Sequence, residues 1–188
     1  MSIKVVLVSV LVYGALIAAI AAEDGKCLAC GESIQGEATI TNYTLSAYAD
    51  ILPGVCPKAF NITGQGLLPI AVLGTNDFDV STIDPSTINL MREGSAGKIA
   101  LFRWHYGDVA GPSVRDEKEP CRCQIAGADG YTDLILEFDI YMIVKLLDLQ
   151  KIAGENIVLN LTGDLRGNAN TQGSSFGGSD CISLSGVS

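Results

Sequence analysis

Asp129-Gly130-Tyr131-Thr132-Asp133 is where this chain comes nearest to a pattern that could hold a metal ion. A hard cation such as calcium takes several carboxylate, amide or carbonyl oxygens at alternate positions, around a glycine that lets the chain reverse. Asp129 and Asp133 offer two such carboxylates and Gly130 the reversal. Ile125, Ala126 and Gly127 stand where further oxygen ligands belong, so extra oxygens must come from elsewhere. Asp77, Asp79 and Asp84 could add them if the fold joins the two loops. The alternatives are plain: an Asp-Gly turn opening a strand, and an acidic run of turn formers on a solvated edge.

Six cysteines are the second chemical resource: Cys27, Cys30, Cys56, Cys121, Cys123 and Cys181. An even count in an exported chain reads as disulfides, and six allow many connectivities that spacing alone leaves open. The close pairs Cys27-Leu28-Ala29-Cys30 and Cys121-Arg122-Cys123 could instead form a four-thiolate zinc site, which needs a reducing compartment. A redox role for Cys27 and Cys30 lacks the βαβ pattern that goes with it. Catalysis finds little to stand on. His105, the single histidine, sits in Arg103-Trp104-His105-Tyr106 beside the single tryptophan, where packing is the ordinary role. No nucleophile elbow, zinc-protease helix or phosphate loop is present. A small secreted hydrolase with paired carboxylates stays open, since such pairs meet in space rather than in sequence. We therefore expect no enzyme. Trp104 and Tyr106 could serve a carbohydrate-binding module as stacking platforms. Asn42, Asn61 and Asn160 each begin an Asn-x-Thr acceptor for glycosylation.

These residues need elements to position them, and the elements begin with an export leader. Lys4 is followed by an uncharged run from Val5 to Ala22; Ala19-Ile20-Ala21 suits a signal peptidase, and Glu23-Asp24 follow. The spacing predicts a signal peptide over 1–22, with an uncleaved anchor as the alternative. The remainder is then secreted or held at the cell surface, with no membrane contact after cleavage. Its formal charge of −9, one unit more negative once Lys4 leaves, repels nucleic acid and anionic lipid.

Residues 23–49 read as a small polar extension with a strand pair at Glu37–Asn42 and Thr44–Tyr48. A main domain spans 50–188. Leu67–Leu73, Thr87–Met91 and Ile99–Trp104 are expected strands, and Gly107–Pro120 a long loop. Thr132–Phe138 alternates, with Leu134, Leu136 and Phe138 on one face and Asp133, Ile135 and Glu137 on the other, as a half-buried strand does. Val158–Thr162 repeats this, with Asn160 outward. Between them Asp139 can cap a helix over about 139–150, its apolar face made by Ile140, Ile143, Val144 and Leu147. Gly163–Ser179 reads as a loop and Cys181–Leu184 as the last strand. Short strands with one helix predict an all-β, immunoglobulin-like β-sandwich.

The stretch from Asp50 to about Leu184 resembles a family of β-rich modules found at the ends of secreted and surface proteins of bacteria and archaea. The resemblance lies in Asp50-Ile51-Leu52-Pro53-Gly54, Cys56-Pro57 and Asn61, then Gly66 to Gly74, Asp77-Phe78-Asp79-Val80 and Ile83-Asp84-Pro85-Ser86-Thr87. It continues through Arg103-Trp104, Gly107-Asp108-Val109-Ala110, Asp129–Asp133, Leu161-Thr162-Gly163 and Ser179-Asp180-Cys181. It implies a calcium-loop-like turn at Asp129–Asp133, a non-catalytic role, an extracellular setting, and a disulfide between Cys56 and Cys181. Cys27, Cys30, Cys121 and Cys123 would then pair among themselves. The chain departs from the family in the first half of the turn. The expected function is an exported structural or interaction module, with self-association, other surface proteins or a glycan as partners. A fibre or pilus-like subunit that lends a strand to its neighbour is the main alternative.

Overall fold

The computed structural model describes residues 10–12, 15–17, 43–112, 121, 125–166 and 174–186. The chain divides into two compact units, Met1–Thr39 and Ile40–Ser188. In the first, β1 (Val10–Val12) and β2 (Ala15–Ile17) pair antiparallel. The expected strand Glu37–Asn42 lies outside the described residues, as do Cys27, Cys30, Cys123 and Asn42.

The second unit is an all-β sandwich of two sheets with one short α-helix. The smaller sheet runs β4 (Tyr48–Ile51), β6 (Leu67–Leu73), β10 (Asp133–Asp139), β9 (Arg103–Gly107), every neighbour antiparallel. The larger runs β3 (Thr44–Ser46), β12 (Ser175–Ser185), β11 (Asn156–Asp164), β7 (Asn89–Arg92), β8 (Lys98–Ala100), with β5 (Ala59–Asn61) also on β12. β3 and β5 both lie parallel to β12, one at each end of it. Between them the chain crosses to the smaller sheet, forms β4 at its edge, and returns. Thr44–Tyr48 is therefore not the second half of a detached strand pair. It splits into β3 and the start of β4, and the sandwich begins ahead of the expected boundary at Asp50.

Alternation builds the core. Leu134, Leu136 and Phe138 of β10 face inward with Leu68, Ile70 and Val72 of β6, against Leu159 and Leu161 of β11 and Phe176 and Ile182 of β12. Phe78 packs on Phe176 with ring centroids 6.3 Å apart. Burial of such side chains is worth roughly 1.5–3 kcal/mol each.

Four local expectations change. β10 is not half-buried: Ile135 and Asp133 on its outer face are 5% and 0% exposed. The turn after β9 brings Ala110 down onto Ala71 and Leu73, covering that face. Ile99–Trp104 is two strands in two sheets, since Ile99 pairs with Leu90 of β7 while Trp104 pairs with Leu136 of β10. The helix, α1 (Ile140–Leu146), starts as expected, with the Asp139 carboxylate accepting the Met142 N–H at 3.0 Å. It stops at Leu147, because Asp148 takes a left-handed conformation (φ 56°) and a 3-10 turn follows over Leu149–Ile152.

Within Gly163–Ser179, both ends are strand. A Cβ on Gly163 would lie 2.7 Å from the Phe176 ring, and one on Gly178 would lie 2.9 Å from the Ala47 carbonyl oxygen. These glycines admit close neighbours rather than loosen a loop.

Candidate functional site

The Asp129–Asp133 turn is organised by backbone. Asp133, at the head of β10, sends its carboxylate under the turn that follows β9. Its Oδ1 accepts the Gly74 N–H at 2.9 Å, and its Oδ2 accepts those of Val109 and Ala110 at 2.8 and 3.2 Å. A fully buried carboxylate survives only with such donors. Asp108, which the sequence reading did not single out, does the same from the other side. Its two oxygens accept the Asp129 and Gly130 N–H groups at 3.0 and 2.9 Å. Asp129 is exposed, and its Oδ1 accepts the Tyr131 N–H at 3.1 Å. Gly130 supplies the expected reversal at φ 92°.

The other acids have separate duties. Asp79 and Asp84 cap 3-10 turns through the Ser81 and Ser86 N–H groups, at 2.9 and 3.0 Å. Two hydrogen bonds from Ser86, hydroxyl and amide, hold the Asp84 carboxyl below its usual range. Asp77 accepts from the Asn76 side chain at 3.2 Å. Among the described residues no three Asp, Glu, His or Cys side chains gather into a metal-sized group. Calcium takes six to eight oxygens. Each oxygen of Asp133 and Asp108 accepts at least one backbone N–H.

Cys121 is bonded to Cys181, 60 residues later, with Cα atoms 5.0 Å apart. That overturns the pairing of Cys56 with Cys181. The register explains where Cys181 sits: it lies opposite Val158, which is 36% exposed, whereas its neighbour Ile182 lies opposite core Ile157. Its sulfur thus belongs to the outer face of the larger sheet. Cys56 is also disulfide-bonded. Asn61 is exposed at a turn, its Oδ1 accepting the Thr63 N–H and hydroxyl at 2.9 and 2.8 Å. Asn160 is half-buried in central strand β11, between Ser179 and Met91, rather than fully outward.

A row of exposed aromatic groups runs into and along β9, an edge of the smaller sheet among the described residues. Phe102, Trp104 and Tyr106 follow one another at alternate positions and are 63%, 43% and 41% exposed. Trp104 and Tyr106 pair with core Leu136 and Leu134 yet stay open themselves. Their rings meet edge-on, centroids 5.3 Å apart and 72° between planes. On the opposite face Arg103 grips Glu137 of β10 through Nε and Nη2. The guanidinium holds the Glu137 carboxyl below its usual range.

A third cluster is half-buried. Lys58 Nζ contacts Asp50 Oδ1 and Asp180 Oδ2, joining β4, the entry to β5 and β12. Burial pushes the Asp50 carboxyl up, against the opposing pull of Lys58.

Fold and site together define a disulfide-bonded all-β sandwich with an aromatic open edge. No family model matches the chain, and neither a curated protein nor a solved structure does.

Proposed function

We propose that this chain is an exported, non-enzymatic sandwich module with a structural role at the cell surface or outside the cell, and that it pairs with a second copy of itself through β9. The observation that carries this reading is the edge strand with Trp104 and Tyr106 exposed along it. Edge strands normally avoid pairing through charge, proline or bulges. β9 has no proline and no acid, and its one fixed charge, Arg103, is already engaged by Glu137.

Register arithmetic supports a second copy as the occupant. Two β9 strands set antiparallel about His105 place Trp104 of each opposite Tyr106 of the other, Arg103 opposite Gly107 and His105 opposite its own copy, so the two arginines do not face each other. Aromatic cross-strand pairs are worth about 0.2–1 kcal/mol each beyond the backbone bonds. Such a contact is isologous and closes on itself, which favours a dimer over a fibre. Disulfides at Cys56 and Cys121–Cys181 support an oxidising compartment. The perpendicular rings offer a sugar no flat platform, and the turn carboxylates serve the backbone, so neither a glycan nor calcium is part of this reading.

Sedimentation equilibrium tests it. The mature protein should show a concentration-dependent monomer–dimer equilibrium, and a Trp104→Ala, Tyr106→Ala double variant with an unchanged β spectrum should remain monomeric. A wild-type protein monomeric at every concentration, or a dimer indifferent to the substitutions, would remove the proposal.

A further inference from the structure

The Asp50–Lys58–Asp180 cluster is independent of β9. Its side chains are 14%, 10% and 16% exposed, and it contains one more carboxyl than charge neutrality requires. The two carboxyls are held differently. Asp180 is anchored: Oδ2 accepts the Ile51 N–H at 2.7 Å and Oδ1 its neighbour Cys181 N–H at 2.8 Å. Asp50 meets Lys58 alone among the described hydrogen bonds. Burial favours the neutral form of the Asp50 carboxyl. An amine is therefore held against a carboxyl disposed to be neutral, with a second, oriented carboxylate touching the same nitrogen.

We infer that Lys58 and Asp50 condense into an intramolecular amide, with Asp180 relaying the protons. One proton passes from the Lys58 ammonium through Asp180 to the Asp50 carboxylate, leaving an amine and a carboxylic acid. Nζ then attacks Cγ of Asp50. A second Nζ proton travels through Asp180 to the departing hydroxyl, the C–O bond breaks, and water leaves. An ammonium and a carboxylate become an amide and one water; no oxidant, reductant or activated donor is consumed. In free solution this condensation is uphill. Fixing the groups in contact supplies an effective concentration on the order of 10⁵ M or more, enough to favour it. The bond would lock the segment that leaves one sheet as β4 and returns to the other as β5.

Peptide mapping of the reduced, alkylated native protein tests this. Trypsin cannot cut after an acylated lysine, so residues 27–92 should appear as one fragment, lighter by one water. Lys58→Arg, which keeps the charge, and Asp50→Ala should both restore cleavage at position 58 and the full summed mass. Asp180→Asn should leave a mixture of both forms. An unmodified Lys58 in folded wild-type protein, or a bond to Asp180 instead, would overturn the assignment.

Discussion

Asp133→Ala lowers the stability of the sandwich by about 3–5 kcal/mol. The carboxylate is inaccessible to water and satisfies three backbone N–H groups. Removing it strands the Gly74 and Ala110 donors in the interior, at about 1–3 kcal/mol each, and loosens the turn that covers Ala71 and Leu73. For a domain of this size that lowers Tm by roughly 10 °C. Asp133→Asn keeps one acceptor oxygen and should lose about half as much. Thermal melting of the three proteins decides it, and calcium or a chelator should leave the wild-type melt unchanged. A near-neutral Asp133→Ala would mean the carboxylate does not hold the turn, and a melt raised by calcium would return the ion to the site.

Replacing Cys121 and Cys181 together by serine should cost about 4 kcal/mol. The bridge closes a loop with a separation of 60 residues, and the lost constraint on the unfolded chain gives that figure in the chain-entropy model. The double substitution leaves no unpaired thiol and leaves the Cys56 bridge alone, so its effect belongs to one bond. Denaturant unfolding without reductant should show a lower midpoint, with the variant's unfolded state more expanded. Equal midpoints would contradict the assigned bond.

What could be read from the residues was what depends on near neighbours. Leu134, Leu136 and Phe138, and Leu159 and Leu161, announce their inward faces by period-two spacing, and Asp139 announces a helix start. What escaped depends on distant parts of the chain. The burial of Asp133 is set by a turn more than twenty residues upstream, which no local pattern reports. Gly163 and Gly178 resemble loop formers until Phe176 and Ala47 come against them. Ile99–Trp104 looks continuous because both halves are apolar, although each half joins a different sheet. The partner of Cys181 follows from which segment crosses its face, not from spacing. Asp108 escaped for the same reason: it precedes Val109-Ala110, and its role shows only when Asp129 is folded beside it.

Hydrogen–deuterium exchange measured across a dilution series interrogates the open strand itself. If two copies zip together along it, the alternate amides of Trp104–Tyr106 that point away from β10 gain protection as the protein is concentrated, while those of β4, at the far edge of the same sheet, do not change. Exchange at those outward amides that ignores concentration, or protection rising equally at both edges, would contradict a contact made through β9.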